Sequence, residues 1–361
     1  MRLVTRVSSV VLSLVLSLLV ASPPASLAAQ PLPSDVTFNL RRDFLEELMS
    51  SGPTGRSVGA RWKASLFMDE RSRVHDIGSD CELHVGARFG NNRKLANPAG
   101  IVIEPPNLCK RRLPGVPTGG SIGAAWQSFF DANVIGRTCE VTGFPRVFSE
   151  HSAGGEAGGS NPDHVVEIHP VVAMTCGQQS MDFESILRYF PGMRAITEAS
   201  AEACISDRKL FVRGARVNNR DVYEFAEEGA KGSGGRCGNF VIVDAHFTKD
   251  YLRELSNGGD ETALARVWIG ESGPYALKVY AYKETPVAKR IATFRTSSDT
   301  TPDLELTLHG LLTYDYFTIV QTVQRESTTS PGTFEWIPLA ELKEWREVRR
   351  PLALVVFGTV P

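Results

Sequence analysis

Three of the seven histidines fall in one segment, Glu150–Pro170 (EHSAGGEAGGSNPDHVVEIHP). They are His151, His164 and His169, and Glu150, Asp163 and Glu167 accompany them. A strand over His164 to His169 puts Glu167 and His169 on one face, because strand side chains alternate with period 2. An antiparallel return from Val141 through Arg146 brings His151 to the adjacent edge. His164 sits at the strand's start and can turn to either face. Two imidazoles and a carboxylate suit zinc or a similar divalent ion, with a fourth position open to water. The expected metal set is therefore His151, Glu167 and His169, with His164 as a further candidate. The competing reading is a hydrogen-bonded strut, an imidazole held by a carboxylate. The lack of a His-x-x-x-His or other dedicated ligand spacing favours the strut.

A second group lies in Ser79–Val85 (SDCELHV). Alternation places Asp80, Glu82 and His84 on one face of a strand, opposite Cys81 and Leu83. Glu104, ahead of Pro105 and Pro106, joins them if the strands over 81–89 and 99–103 form a hairpin. Asp80, His84 and Glu104 make the expected binding set. Gly119-Gly120-Ser121-Ile122-Gly123 matches a nucleophile elbow in letters only, since that motif needs a buried strand before it. Leu113-Pro114-Gly115-Val116-Pro117 stands there instead, so Ser121 reads as the N-cap of a helix over 121–133. Tyr275–Tyr282, with Lys278 and Lys283, reads either as a polymer-binding face or as one side of a core.

The elements that must position these groups are mostly short strands. Residues 36–51 predict a strand and a short helix. Strands follow over 61–68, 81–89, 99–103 and 137–142, with a turn at Gly143-Phe144-Pro145 and a glycine-rich loop over 152–162. Pro170 is expected to stop the strand that begins at His164, and Val171–Met174 to resume it. Further strands are expected over 210–212, 239–243, 265–269, 275–282 and 304–312. Many short strands with Gly/Pro turns point to a mainly β chain of barrels or sandwiches rather than a parallel α/β sheet. One internal echo pairs Val141-Thr142-Gly143 with Leu308-His309-Gly310, and Val166–Pro170 with Phe334–Pro338.

Residues 1–29 read as a signal peptide: Arg2 and Arg6, an apolar run over Val10–Val20, then Pro23, Pro24 and the small residues Ala25, Ser26, Ala28 and Ala29. The run is short for a membrane span, and no later stretch is long or apolar enough for one. Export places the protein outside the cytoplasm, secreted or periplasmic. Without Arg2 and Arg6 the chain carries 37 basic and 41 acidic residues, a net charge of −4, which does not suggest a nucleic-acid surface. All six cysteines follow the leader, and an even count in an oxidising compartment predicts disulfides. Sequential pairing, Cys81–Cys109, Cys139–Cys176 and Cys204–Cys237, is the simplest arrangement.

The order of these motifs resembles a family of exported bacterial proteins of uncharacterised function. The matching positions are Asp80, His84, Glu104, Pro106, Cys109, Val141–Gly143, His151, Asn161 and Glu167–Pro170, within about residues 75–175. The chain departs from that pattern in a longer acid–His spacing near Asp80 and a glycine-rich loop after His151. The resemblance implies a small closed barrel of the OB type and carries no activity with it. The expected organisation is an OB-like domain over 30–190 and a second β-barrel or β-sandwich over 200–361. The expected function is an exported binding module with a polar His/acid site in its first domain. The alternative is a metal-dependent hydrolase using the same cluster, with Glu167 or Glu104 as base. N-terminal sequencing of the exported protein should find its first residue between about 26 and 31; soluble protein that retains Met1 would contradict this reading.

Overall fold

The computed structural model of the chain describes residues 36–50, 62–71, 83–89, 101–105, 108, 113–147, 166–183, 196–217, 219–228, 240–254, 261–281, 285–298 and 303–359. The strand and helix expected at the start are β1 (Val36–Arg41) and α1 (Arg42–Ser50). The chain is mainly β, and residues 32–361 form one compact unit.

Five strands close the first ring. These are β2 (Trp62–Arg71), β3 (Val85–Phe89), β4 (Ile101–Ile103), β5 (Thr138–Val147) and β6 (Val166–Cys176). Around the ring the order is β2-β3-β4-β6-β5 and back to β2. Only β4 and β6 run parallel. Alternation decides what faces inward. On β2, Trp62, Ala64, Leu66 and Met68 are buried while Lys63 and Ser65 are exposed. Helix α2 (Ile122–Asn133) lies between the third and fourth strands in sequence and buries Ala125, Trp126, Phe129 and Phe130. Ser121 is its N-cap, its hydroxyl accepting from Ala124 N at 3.2 Å, so the elbow-like motif is a helix start. A short strand β7 (Gln179–Asp182) folds back on β6.

A linking layer follows. Helix α3 (Glu198–Ser206) precedes the hairpin of β8 (Lys209–Val217) and β9 (Arg220–Glu228), and β1 pairs with β9. Because a strand from the start of the chain completes this sheet, no simple cut near residue 190 separates two halves.

The second ring uses β10 (Phe240–Glu254), β11 (Glu261–Ile269), β12 (Ser272–Ala281), β13 (Asp303–Tyr314) and, after two short paired strands β14 (Gln324–Glu326) and β15 (Phe334–Trp336) and a two-residue β16 (Arg346–Glu347), β17 (Leu352–Thr359). The order is β10-β11-β12-β17-β13 and back to β10, and again only the third and last strands are parallel. Helix α4 (Pro286–Thr296) again joins the third strand to the fourth, capped by Thr285. A fifth helix, α5 (Tyr316–Thr322), opens the connection to β17, in which β16 pairs with β8. Trp336 stacks on Tyr223 at 5.9 Å, so this connection fastens the linking sheet to the second ring.

The two rings close with the same local device. At Gly143 the partner on β6 jumps from Ala173 to Val171, and at Gly310 the partner on β17 jumps from Gly358 to Val356. One extra residue on the last strand makes a bulge, which bends the sheet toward closure. A Cβ at Gly143 would lie 2.7 Å from Pro170 O, and one at Gly310 would lie 2.6 Å from Val355 O, so only glycine allows the strands to approach. The Leu308–Gly310 half of the internal echo thus falls on the matching strand. The Phe334–Pro338 half does not, because the last strand of the second ring is β17.

Two expectations are corrected. Gly143-Phe144-Pro145 is not a turn; β5 runs through it to Val147. Pro170 does not end its strand; β6 continues to Cys176. Both prolines sit where the β5–β6 register shifts, so the ladder does not require a donor from either.

Cys139 and Cys176 are directly opposed on β5 and β6 and form a disulfide, with Cα atoms 4.3 Å apart. Cys204 is also disulfide-bonded. The expected pairs Cys81–Cys109 and Cys204–Cys237 fall wholly or partly outside the described residues. Among the described residues no helix is long and apolar enough to cross a membrane. Replacing both Cys139 and Cys176 by Ala reopens a loop with a sequence separation of 37. Urea denaturation should then show a loss of about 3–4 kcal/mol in the chain-entropy account; a loss below about 1 kcal/mol would mean the ladder alone holds the two strands.

Candidate functional site

The β3–β4 hairpin sets the first contact. Val85 is opposite Ile103, so the residues that flank this pair, His84 and Glu104, are neighbours. Glu104 then bridges to the last strand through its backbone. Its N–H donates to Ile168 O at 3.0 Å, and its carbonyl accepts from Val171 N at 3.2 Å. These bonds bracket His169 and Pro170 and bring the Glu104 side chain to the His169 ring. On the other side of β6, Arg146 of β5 is directly opposite Glu167.

Five side chains consequently converge: His84, Glu104, Arg146, Glu167 and His169. All are buried, none more than 5 % exposed. His84 Nε2 lies 3.2 Å from Glu104 Oε1. His169 Nδ1 is hydrogen-bonded to Glu104 Oε2, and Arg146 Nε donates to Glu167 Oε2. An Arg146 terminal nitrogen lies 3.6 Å from Glu104 Oε2. Two carboxylates thus share one guanidinium.

Burial pushes the Glu104 carboxyl up, but His84, His169 and Arg146 outweigh it and hold the group well below the usual carboxylate range. Burial and the Arg146 charge push the His169 imidazole down, against the pull of Glu104 and Glu167. Glu104 is therefore ionised beside a neutral His169, whose Nδ1–H donates to the carboxylate.

Glu104, Glu167 and His169 each offer a ligand atom within 4.8 Å of the others, the spacing a cation needs. Those atoms are already engaged: Glu167 holds Arg146, and both Glu104 oxygens face imidazole nitrogens. A guanidinium at this distance supplies the positive charge that a divalent ion would otherwise bring. The arrangement fits a closed charge network better than a metal centre.

The cluster lies against the second ring. The His169 ring is 6.0 Å from that of Phe240, and Phe240 is 6.0 Å from His309. Phe144 and Val172 of the first ring share a small apolar cluster with Phe240, Tyr280, Leu311, Ala353 and Val355 of the second. Tyr280 is buried, and its hydroxyl donates to Asp315 Oδ1 at 2.9 Å. Lys278 and Thr318 also hold Asp315. This strand face is therefore a packed, internally bonded surface; Tyr282 and Lys283 lie outside the described residues.

The structure brings together four of the residues singled out from the sequence, His84, Glu104, Glu167 and His169. Asp80, His151 and His164 lie outside the described residues. Arg146 was not foreseen, although it supplies a guanidinium to both carboxylates of the cluster. Its place opposite Glu167 is set by the register shifts at Gly143 and Pro145, which the expected turn at Gly143-Phe144-Pro145 hid. No family model matches this chain, and no curated protein matches it.

Arg146→Ala leaves two buried carboxylates without their shared cation. Breaking a buried pair in this way typically costs about 3–5 kcal/mol, and urea denaturation at pH 7 should show a loss of that size. A loss below about 1 kcal/mol would mean that the cluster is solvated in solution.

Proposed function

We propose that this protein is an exported, non-catalytic binding module of two OB-type barrels, in which the charge cluster is a structural keystone. Burial of Arg146 and its two carboxylates, satisfied by groups of the same chain, carries this reading. A general acid or base must reach substrate, and a buried group closed in by its own counter-ions is poorly placed for that. The strand order, with a helix between the third and fourth strands and a parallel third–last pair, supports the OB-type assignment. In that fold the loops after the first and fourth strands contact the ligand. Here those connections are 72–84 and 148–165, and they carry Asp80, His151 and His164. Export and the resemblance to exported bacterial proteins belong to the same proposal.

The alternative, a metal-dependent hydrolase, uses the same side chains and is separable by experiment. Elemental analysis of the purified mature protein should find no stoichiometric zinc or other transition metal, and a chelator should leave its melting temperature unchanged. A thermal-shift screen against oligosaccharides and peptides should find a stabilising ligand whose effect is lost in Asp80→Ala or His151→Ala. One equivalent of zinc that disappears in His169→Ala would overturn the proposal in favour of the hydrolase.

A further inference from the structure

We propose that the β14–β15 hairpin carries a binding strip for an uncharged saccharide, with the exposed Phe334 ring as its stacking platform. The strip lies in the second half of the chain and uses no side chain of the charge cluster. It stands whether or not the connections 72–84 and 148–165 hold a ligand of their own.

The register of the hairpin places the platform. Gln324 is opposite Trp336, Arg325 opposite Glu335 and Glu326 opposite Phe334. Side chains two residues apart on a strand share a face, so Phe334 and Trp336 point the same way. Trp336 is half-buried: its ring stacks on buried Tyr223 at 5.9 Å, and the Arg42 guanidinium lies 5.7 Å from its ring centre. Phe334 continues this aromatic row outward and is 60 % exposed, more than any other large apolar side chain among the described residues. A ring so exposed contributes little to the core. The loop beside it is held by its own hydrogen bonds. Ser327 N–H donates to Thr333 O at 2.8 Å, Thr333 N–H to Ser330 O at 3.1 Å, and Gly332 N–H to Glu326 Oε1 at 2.9 Å. At the base, Ile337 N–H donates to Val323 O at 3.0 Å. A platform fixed before binding loses little conformational entropy when a ligand arrives.

The chemistry around the ring selects the ligand. The charges at this edge are paired: Arg42 Nε donates to Glu46 Oε1 at 2.7 Å, and Arg325 donates to Glu335 and Glu341 at 2.8 and 2.6 Å. An anionic polymer therefore meets no unbalanced cation, and a cationic one meets carboxylates already bonded. Arg42 and Glu46 are each about half exposed, so the pair keeps outward donors and acceptors for neighbouring hydroxyls. The exposed hydroxyls of Thr328, Thr329 and Ser330 stand on the loop. A flat apolar ring among paired charges and hydroxyls matches a pyranose, which offers C–H groups on one face and hydroxyls at its rim. A protein partner of standard size buries about 800 Å² on each side around a cluster of anchors, whereas one ring is offered here.

Native gel electrophoresis of the full mature chain, in gels cast with hydroxyethylcellulose, glucomannan, xyloglucan or glycol chitin, tests the assignment. At least one of these neutral polymers should slow the wild type relative to a gel without polymer. Phe334→Ala should raise the dissociation constant about tenfold or more while keeping the wild-type melting temperature. Phe334→Tyr should bind as the wild type does, because the stacking face survives, and Glu46→Ala should bind more weakly. No retardation by any of these polymers, equal retardation of the wild type and Phe334→Ala, or retardation confined to an anionic polymer such as alginate would each overturn the proposal. So would Phe334-dependent self-association in sedimentation without retardation, which would make the strip a protein contact.

Discussion

Closure of the first barrel places Glu104 at the end of the β4–β6 join, and that placement creates the charge problem that its neighbours solve. The last strand pairs with the third over Ile101–Ile103 and Val166–Ile168, and the backbone of Glu104 extends that join through Ile168 and Val171. The same placement buries the carboxylate. An ionised group in that position costs several kcal/mol unless it is paired. His84 and His169 each turn a ring nitrogen to it, and Arg146 approaches from β5. Arg146 also holds Glu167 directly across the ladder, so the network spans all the strands that meet at this end of the barrel.

The second barrel repeats the geometry with apolar side chains on the corresponding face. Its third and last strands are also parallel, a glycine of its fourth strand faces a bulge in the last, and a capped helix again precedes the fourth strand. The corresponding face is lined by Leu311, Ala353 and Val355. The same strand order occurs twice with different side chains. The buried carboxylate on this side is Asp315, held by Lys278, Tyr280 and Thr318 at the start of the long connection to β17. That connection also supplies β16 to the linking sheet, which is why the two rings and the sheet between them share one continuous core.

Much of this architecture was legible in the sequence. Period-2 alternation marked β2 and β3, strands were also expected within β10, β11, β12 and β13, and Ser121 marked the start of α2. The hairpin that joins His84 to Glu104 followed from two adjacent strands, and the Cys139–Cys176 pair followed from the strands on either side of the histidine segment. Local pattern suffices for these because each is decided by a few neighbouring residues.

What the sequence could not decide was set by contacts distant along the chain. Gly143, Pro145 and Pro170 read as strand breakers, yet all three lie inside strands, because the β5–β6 register shifts there, so the ladder needs no donor from the prolines, and the bulged strand occupies the space where a Cβ of residue 143 would lie. That same bulge fixes the register which sets Arg146 against Glu167. The histidine segment alone left an open metal site and a hydrogen-bonded strut as alternatives, with the strut favoured. Tertiary structure buries Glu167 and His169 with Glu104, and lays Phe240 of the second barrel on the His169 ring. The sequence determined which side chains could carry charge; burial, which depends on the strands packed around them, determined that they bond to one another.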